Sequence, residues 1–274
     1  MDLRSTVTLK GGVRMPWLGF GVFQIPPGRQ TYEAVRSALE AGYRAIDTAS
    51  AYGNEEDVGR AIRDSGVERG ELFVTTKVWN SDQGYDNTLR AFAASKARLG
   101  LEVVDLYLIH WPAKKEFTET WRAMEELHRE GQIRAIGVSN FLIHHLETLL
   151  SKATVSPAVN QVEFHPFNLQ PALLDYCRGK EIRIEAWSPL VRGRFFDNPV
   201  IKDVAEKHGR SPAQVLIRWD LQHEVVTIPR STKETHIREN GEVFDFELSP
   251  EEMERLDGLD EGRRIGPDPD EFTG

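Results

Sequence analysis

The chain has 274 residues, 40% of them hydrophobic, with 34 basic against 43 acidic side chains and a formal net charge of −9. That length and composition exclude a wholly disordered or fibrous chain and suit one domain, residues 1–274, of a size that barrels reach. The single cysteine, Cys177, excludes an internal disulfide and a thiolate zinc site. No apolar run approaches the ~18 residues of a membrane span.

In chain order, Lys10-Gly11-Gly12-Val13 reads as a tight turn between two short strands, a hairpin over residues 1–15 that would close a barrel bottom. The first residues lack the apolar core of a secretory signal, so a cytoplasmic protein without a membrane partner is expected. Apolar, β-branched runs then mark eight strands at 17–22, 44–47, 72–78, 104–110, 133–138, 158–163, 183–187 and 225–229. Most are continuous apolar segments, as strands buried on both faces are. Helix-period segments lie between them at 32–41, 55–64, 87–99 and 120–130, with Gly42 as the stop of the first. Two helical stretches, 200–208 and 212–222, fall where a minimal barrel needs one. Ser211-Pro212-Ala213-Gln214 and Ser249-Pro250-Glu251-Glu252 carry the start signals of two late helices: Ser at the cap, Pro first, Gln or Glu three residues on.

This βα alternation predicts an α/β fold, a closed (β/α)8 TIM barrel with an N-terminal hairpin and two extra helices, the last opening a 249–274 helix and tail. A doubly wound open sheet is the alternative from pattern alone. The charge is uneven: residues 239–274 hold 13 acids and 3 bases, whereas residues 1–238 hold 30 acids and 31 bases. The acidic balance argues against a nucleic-acid partner, and a solvated tail explains the excess.

Barrel chemistry gathers where strands end and βα loops begin. After the second strand comes Asp47-Thr48-Ala49-Ser50-Ala51-Tyr52-Gly53-Asn54-Glu55; the third ends Thr76-Lys77-Val78-Trp79 and the fourth Ile109-His110-Trp111-Pro112. Singly, each polar residue has a plain structural account: a helix cap, a loop-packing ring, a neutralising lysine, a packed histidine. Together they put an acid, a phenol, an ammonium and an imidazole at consecutive strand ends.

These segments resemble the aldo-keto reductases. In the same order follow Gly131-Gln132-Ile133-Arg134-Ala135-Ile136-Gly137-Val138-Ser139-Asn140-Phe141, then Asn160-Gln161-Val162-Glu163-Phe164-His165-Pro166, then Ile228-Pro229-Arg230-Ser231. The resemblance spans the chain, and Gly19-Phe20-Gly21-Val22-Phe23-Gln24 with the short loops is similar to the prokaryotic 2,5-diketo-D-gluconic acid reductase branch. It implies NAD(P)H-dependent reduction of aldehydes, α-dicarbonyls or keto sugars such as 2,5-diketo-D-gluconate to alcohols. Tyr52 would donate the proton, Lys77 would lower its pKa, Asp47 would hold Lys77, and His110 would hydrogen-bond the substrate carbonyl. An ammonium about 4 Å away is worth roughly 4 kcal/mol at an effective dielectric of ~20, so Lys77 is expected to lower the phenol by at most about three pH units against burial.

The usual G-x-G-x-x-G fingerprint is absent, since residues 19–24 fall one glycine short and do not sit in a βαβ unit. The resemblance implies instead an extended cofactor across the strand ends. Ser139, Asn140 and Gln161 would hold the carboxamide and Trp187 would stack on the nicotinamide, although core packing accounts for Trp187 equally well. Ser188, Leu190, Arg192 and Gly193 would meet the pyrophosphate, and Arg230, Ser231, His236, Glu239 and Asn240 the adenosine end. NADP-preferring relatives commonly carry Lys and Arg where this chain has Arg230 and His236. Imidazole titrates near neutrality, so the resemblance implies NADPH as preferred cofactor with NADH also used, increasingly as pH rises. Phe23, Trp79, Trp111 and Phe272 would line an apolar substrate mouth beside a short loop at 113–118, and the family context implies a monomer.

Other chemistries fare worse. His223-Glu224-Val225-Val226-Thr227 lacks the second zincin histidine, and His144-His145, as helix neighbours, should point apart, so no metal is expected. No phosphate loop or serine elbow is present. The rival readings are a non-catalytic NADP-binding regulatory barrel and a Schiff-base aldolase using Lys77.

Overall fold

Eight parallel strands follow one another around the sheet in chain order, with a helix outside almost every connection. The computed structural model describes residues 1–113 and 117–272. A hairpin of β1 (Thr6–Thr8) and β2 (Arg14–Pro16) precedes the barrel strands β3 (Phe20–Gly21), β4 (Ala45–Asp47), β5 (Phe73–Val78), β6 (Val104–Ile109), β7 (Ile133–Ser139), β8 (Val159–Glu163), β9 (Arg183–Trp187) and β10 (Val226–Thr227). Helices α1 (Arg29–Glu40), α2 (Glu55–Asp64), α3 (Tyr85–Leu99), α4 (Phe117–Arg129), α5 (Ile143–Leu150), α6 (Pro171–Gly179), α7 (Pro199–His208), α8 (Pro212–Gln222), α9 (Glu234–Gly241) and α10 (Pro250–Asp257) complete the chain. A parallel bridge between Leu18 and Thr227 joins the two ends of the sheet. The Gly19 N–H donates to Thr227 C=O at 2.9 Å and the Gly21 N–H to Pro229 C=O at 3.2 Å, so the barrel is closed.

The first and last barrel strands are shorter than the expected 17–22 and 225–229. Pro229 has no N–H for the ladder, and the chain at 17–21 splits its hydrogen bonds between β4 and the 226–229 segment instead of extending one regular pairing. The hairpin turns where expected: the Gly12 N–H reaches Leu9 C=O at 2.9 Å, with Gly11 and Gly12 at φ 94° and 85°. It lies against the strand starts, where Lys10 pairs with Glu181 at 3.3 Å and the Arg183 guanidinium sits 5.2 Å from the Trp17 ring.

The two added helices are α7 and α10. Ser249 caps α10 through the Glu252 N–H, and the Glu252 carboxylate reaches across to Lys207 and His208 of α7 at 2.6 and 3.0 Å. Two helices, α6 and α9, fall outside the segments expected from the sequence. In α9 only Ile237 is a buried apolar residue, so no hydrophobic period marks it. No described helix is long and apolar enough to cross a membrane.

Parallel register fixes what the barrel interior holds. Gly21 pairs with Asp47, Asp47 with Thr75, Lys77 with Leu108, Ser139 with Gln161, Gln161 with Glu185, and Glu163 with Trp187. Side chains alternate along each strand, so these residues share the inner face toward the strand C-termini. Lower layers of that face are apolar: Phe73, Leu106, Ala135, Val159 and Val226 are all buried. Polar side chains concentrate toward the top, and Glu185 beside Val226 extends them one layer down.

Candidate active site

Lys77 is fully buried at the end of β5, and each hydrogen of its ammonium has a partner. Nζ lies 2.6 Å from Asp47 Oδ1, 2.9 Å from the Thr48 carbonyl and 3.3 Å from Tyr52 Oη. Burial opposes its charge, but Asp47 and Tyr52 outweigh that and hold the lysine above its ordinary pKa. A charged ammonium with no free donor is a poor nucleophile, which removes the chemical basis of a Schiff-base aldolase.

Tyr52 sits on a single 3₁₀ turn, Ser50–Tyr52, that turns back at Gly53 in the left-handed region. Its ring meets Phe23 at 5.0 Å and His110 at 5.6 Å between centroids. The expected lowering of the phenol is not what the structure has. Burial drives Tyr52 up to about 12, and Lys77, although it pulls downward, does not offset the loss of hydration. Tyr52 therefore stays a protonated donor throughout the neutral range.

His110 follows β6 and is held well below the usual histidine pKa, by burial first and by the Lys77 charge second. It is a neutral imidazole, and its Nδ1 has no partner among the described residues. A neutral ring with one N–H can donate a hydrogen bond to a carbonyl oxygen without adding charge.

A cleft of about 1140 Å³ opens over these groups. It is lined by Asp47, Tyr52, His110, Ser139, Asn140, Gln161, Trp187, Ser188, Leu190, Arg192, Gly193, Arg230, Ser231, His236, Glu239, Asn240, Phe23, Trp79, Trp111 and Phe272. The sequence-selected residues thus meet in one place, with Lys77 just behind the wall. Residues the sequence reading passed over also line it, including Phe196, Ala213 and Gly266.

The floor is a hydrogen-bonded amide row. Asn140, at φ 64°, gives Nδ2 to the His110 carbonyl and takes the Trp187 indole N–H on Oδ1 at 2.8 Å. Gln161 Nε2 donates to Asp47 Oδ2 and to Glu185 Oε2, both at 2.8 Å. Two carboxyl oxygens around one amide atom assign that atom as nitrogen and turn the Gln161 carbonyl elsewhere. Glu185 was not singled out from sequence. An acidic residue flanked by Ile184 and Ala186 in a largely buried strand, two positions before Trp187, was the available signal.

At the other end of the cleft lie Arg192, Arg230 and Lys233. Arg230 is exposed overall, yet partial desolvation and then the nearby Arg192 guanidinium lower its pKa. Two guanidiniums facing one cavity fit an anionic group such as a phosphate. An amide and an indole at one end and cations at the other match the two ends of a nicotinamide dinucleotide.

The tail returns to cover the mouth. Glu163, in β8, accepts the Ile265 and Gly266 N–H groups at 2.5 and 3.1 Å, and Phe272 packs 4.3 Å from the Trp111 ring and 6.1 Å from Trp79. His144 and His145 do not diverge as expected: both Nε2 atoms face Asp270 Oδ1, at 2.9 and 3.4 Å. They lie in the first turn of α5, their ring centroids 4.0 Å apart and tilted at 42°. His145 Nδ1 accepts the Leu142 N–H, so Nε2 carries the proton and donates to the tail. Part of the 113–118 loop lies outside the described residues.

A Cβ on Gly266 would sit 2.4 Å from Trp187 Cη2 and 3.2 Å from Glu163 Oε2. Gly266→Ala is therefore expected to lift the tail and raise KM for small carbonyl substrates severalfold. Tryptophan fluorescence should register the loss of Phe272 from Trp79 and Trp111; an unchanged spectrum and KM would refute this.

A closed parallel barrel with a phenol, ammonium, carboxylate and neutral imidazole at one end of a cation-tipped cleft defines a nicotinamide-dependent oxidoreductase. The description "Aldo/keto reductase family" matches residues 18–261. The chain is 57% identical over 271 residues to a glyoxal reductase of Bacillus subtilis, covering 99% of this chain and 98% of that protein. It is 45% identical over 274 residues to the methylglyoxal reductase DkgA of Escherichia coli, covering 98% of each. A solved point mutant of Gox0644 in complex with NADPH superposes with a TM-score of 0.93 at 42% identity, over 98% of each chain. The chain belongs to the Aldo/keto reductase family and reduces carbonyl compounds.

Proposed function

We propose that the protein reduces small aldehydes and α-dicarbonyls, keto sugars among the wider candidates, with NADPH as the preferred hydride source. The observation that carries this reading is the Asp47–Lys77–Tyr52 chain, which ends in a protonated phenol at the cleft beside a neutral His110. Ser139, Asn140 and Gln161 would hold the carboxamide and Trp187 would flank the ring. A bound nicotinamide supplies the hydride. Tyr52 Oη gives a proton to the carbonyl oxygen, the His110 N–H orients that oxygen, and Lys77 balances the charge left on the phenol oxygen. The aromatic mouth favours small substrates, and the names of the Bacillus and Escherichia relatives support dicarbonyls.

The direct test follows NADPH oxidation with methylglyoxal, glyoxal, simple aldehydes and 2,5-diketogluconate. Turnover with at least one class is expected. NADPH binding without turnover would make the protein a regulatory barrel, and covalent trapping by borohydride would favour an aldolase.

Cofactor preference follows from the cation end. Arg230→Ala is expected to lower kcat/KM for NADPH about tenfold, as loss of one charge-assisted phosphate contact does, and to leave NADH nearly unaffected.

A further inference from the structure

Glu185 is a third charged side chain in the buried cluster, and the reaction as described makes no use of it. It is 1% exposed, on the inner face of β9, one layer below the cleft wall. Its Oε2 and Asp47 Oδ2 take the two hydrogens of the Gln161 amide. Gln161 Nε2 is thereby fully used, so the group it can offer the cleft is its carbonyl, an acceptor for a carboxamide NH₂. With Glu185 protonated, the buried Asp47–Lys77 pair is neutral overall; with Glu185 ionised, the cluster carries a net negative charge directly under Tyr52.

We propose that Glu185 is a positioning residue that fixes the orientation of Gln161 toward the cofactor, and that its ionisation turns reduction off as pH rises. The proposal rests on the carbonyl-reductase reading of the same site. The groups facing Glu185 are Asp47 of β4, Tyr52 of the turn after β4 and Lys77 of β5. Gln161 of β8 and Val226 of β10, its register partners, are uncharged. On its own strand Arg183 lies two residues away at the strand start, its guanidinium bonded to the Glu224 carbonyl at 2.9 Å. Burial raises Glu185 to about 8, Asp47 adds to the rise, and the Gln161 hydrogen bond and Lys77 oppose it. Above that pH the extra negative charge raises the Tyr52 phenol further and opposes charge building on the carbonyl oxygen, so both act against proton transfer.

The test begins with the protein alone. The protonated-carboxyl infrared band of Glu185 should be present at pH 6, vanish above about pH 9 and be missing from Glu185→Gln. Asp220 is a second buried carboxyl that burial raises well above its ordinary pKa, against the Thr227 hydrogen bond, so an Asp220→Asn background isolates the Glu185 band should Glu185→Gln fail to fold. A carboxyl proton bound in the folded state stabilises it fully below the ordinary carboxyl range. That stability is lost as pH climbs to about 8, so the wild-type Tm should fall relative to Glu185→Gln over that window. In turnover, wild-type kcat/KM for reduction should fall about fivefold or more between pH 7 and 9.5, and that of Glu185→Gln less than about twofold. Glu185→Leu, which removes the acceptor, should bind NADPH about tenfold more weakly than Glu185→Gln. A band lost already at pH 5, or superimposable pH profiles, would overturn the proposal. Absence of any carbonyl reduction would instead overturn the functional reading, and the infrared and Tm results would still decide the state of Glu185.

Discussion

Lys77→Met is expected to cost about 3–5 kcal/mol of stability and nearly all carbonyl reduction, because it strips the ammonium from a buried carboxylate. Methionine keeps the length and apolar stem of the lysine, so packing changes little. What changes is Asp47, 3% exposed, whose Oδ1 then has no ammonium at 2.6 Å, and Tyr52, which loses the one charge pulling its pKa downward. Urea melts measure the first effect and single-turnover NADPH oxidation the second. The double variant Asp47→Asn with Lys77→Met should recover much of the stability, since no buried charge is stranded, and none of the activity. If it recovered neither, the stability loss would come from packing and not from the broken pair.

Tyr52→Phe separates chemistry from structure more sharply. Phenylalanine keeps the ring contacts with Phe23 and His110 and removes only Oη, one partner of Lys77. Loss of a general acid is expected to lower kcat by about a thousandfold, with NADPH affinity and Tm close to wild type. Because burial holds Tyr52 near 12, its own deprotonation should leave no mark on the wild-type rate profile below pH 10. Retention of kcat within tenfold would assign the proton to another group, and His110, the other polar side chain at the mouth, would be the next to replace.

The strands and the upper layer of the barrel were legible because both depend on local pattern. Arg183–Trp187 falls where expected, and residues 44–47 and 72–78 differ from β4 and β5 by one residue each. Once parallel register is fixed, period-two alternation brings Asp47, Lys77, Ser139 and Gln161 to one face. What escaped depends on three-dimensional balance. The pKa of Tyr52 is a contest between Lys77 and desolvation, and burial cannot be weighed from a list of residues. Gly266 matters because of a ring from β9 that no local window contains, and the His144–His145–Asp270 clasp joins segments far apart in sequence. The helix α9 was missed because it is held by Ile237 and by its place in the barrel rather than by an apolar stripe.

The hydrogen bond from Gln161 to Asp47 is a chord across the barrel, joining residues 114 apart in sequence. Residues 1–137 hold one of its ends and residues 138–274 the other, and the two face each other across the interior once the sheet curls to join residues 17–21 to 226–229. Catalytic competence is thus a property of the finished circle. In a refolding experiment, helix content from local contacts should return first, while turnover should reappear together with closure, at the slow pace that such long-range pairing imposes.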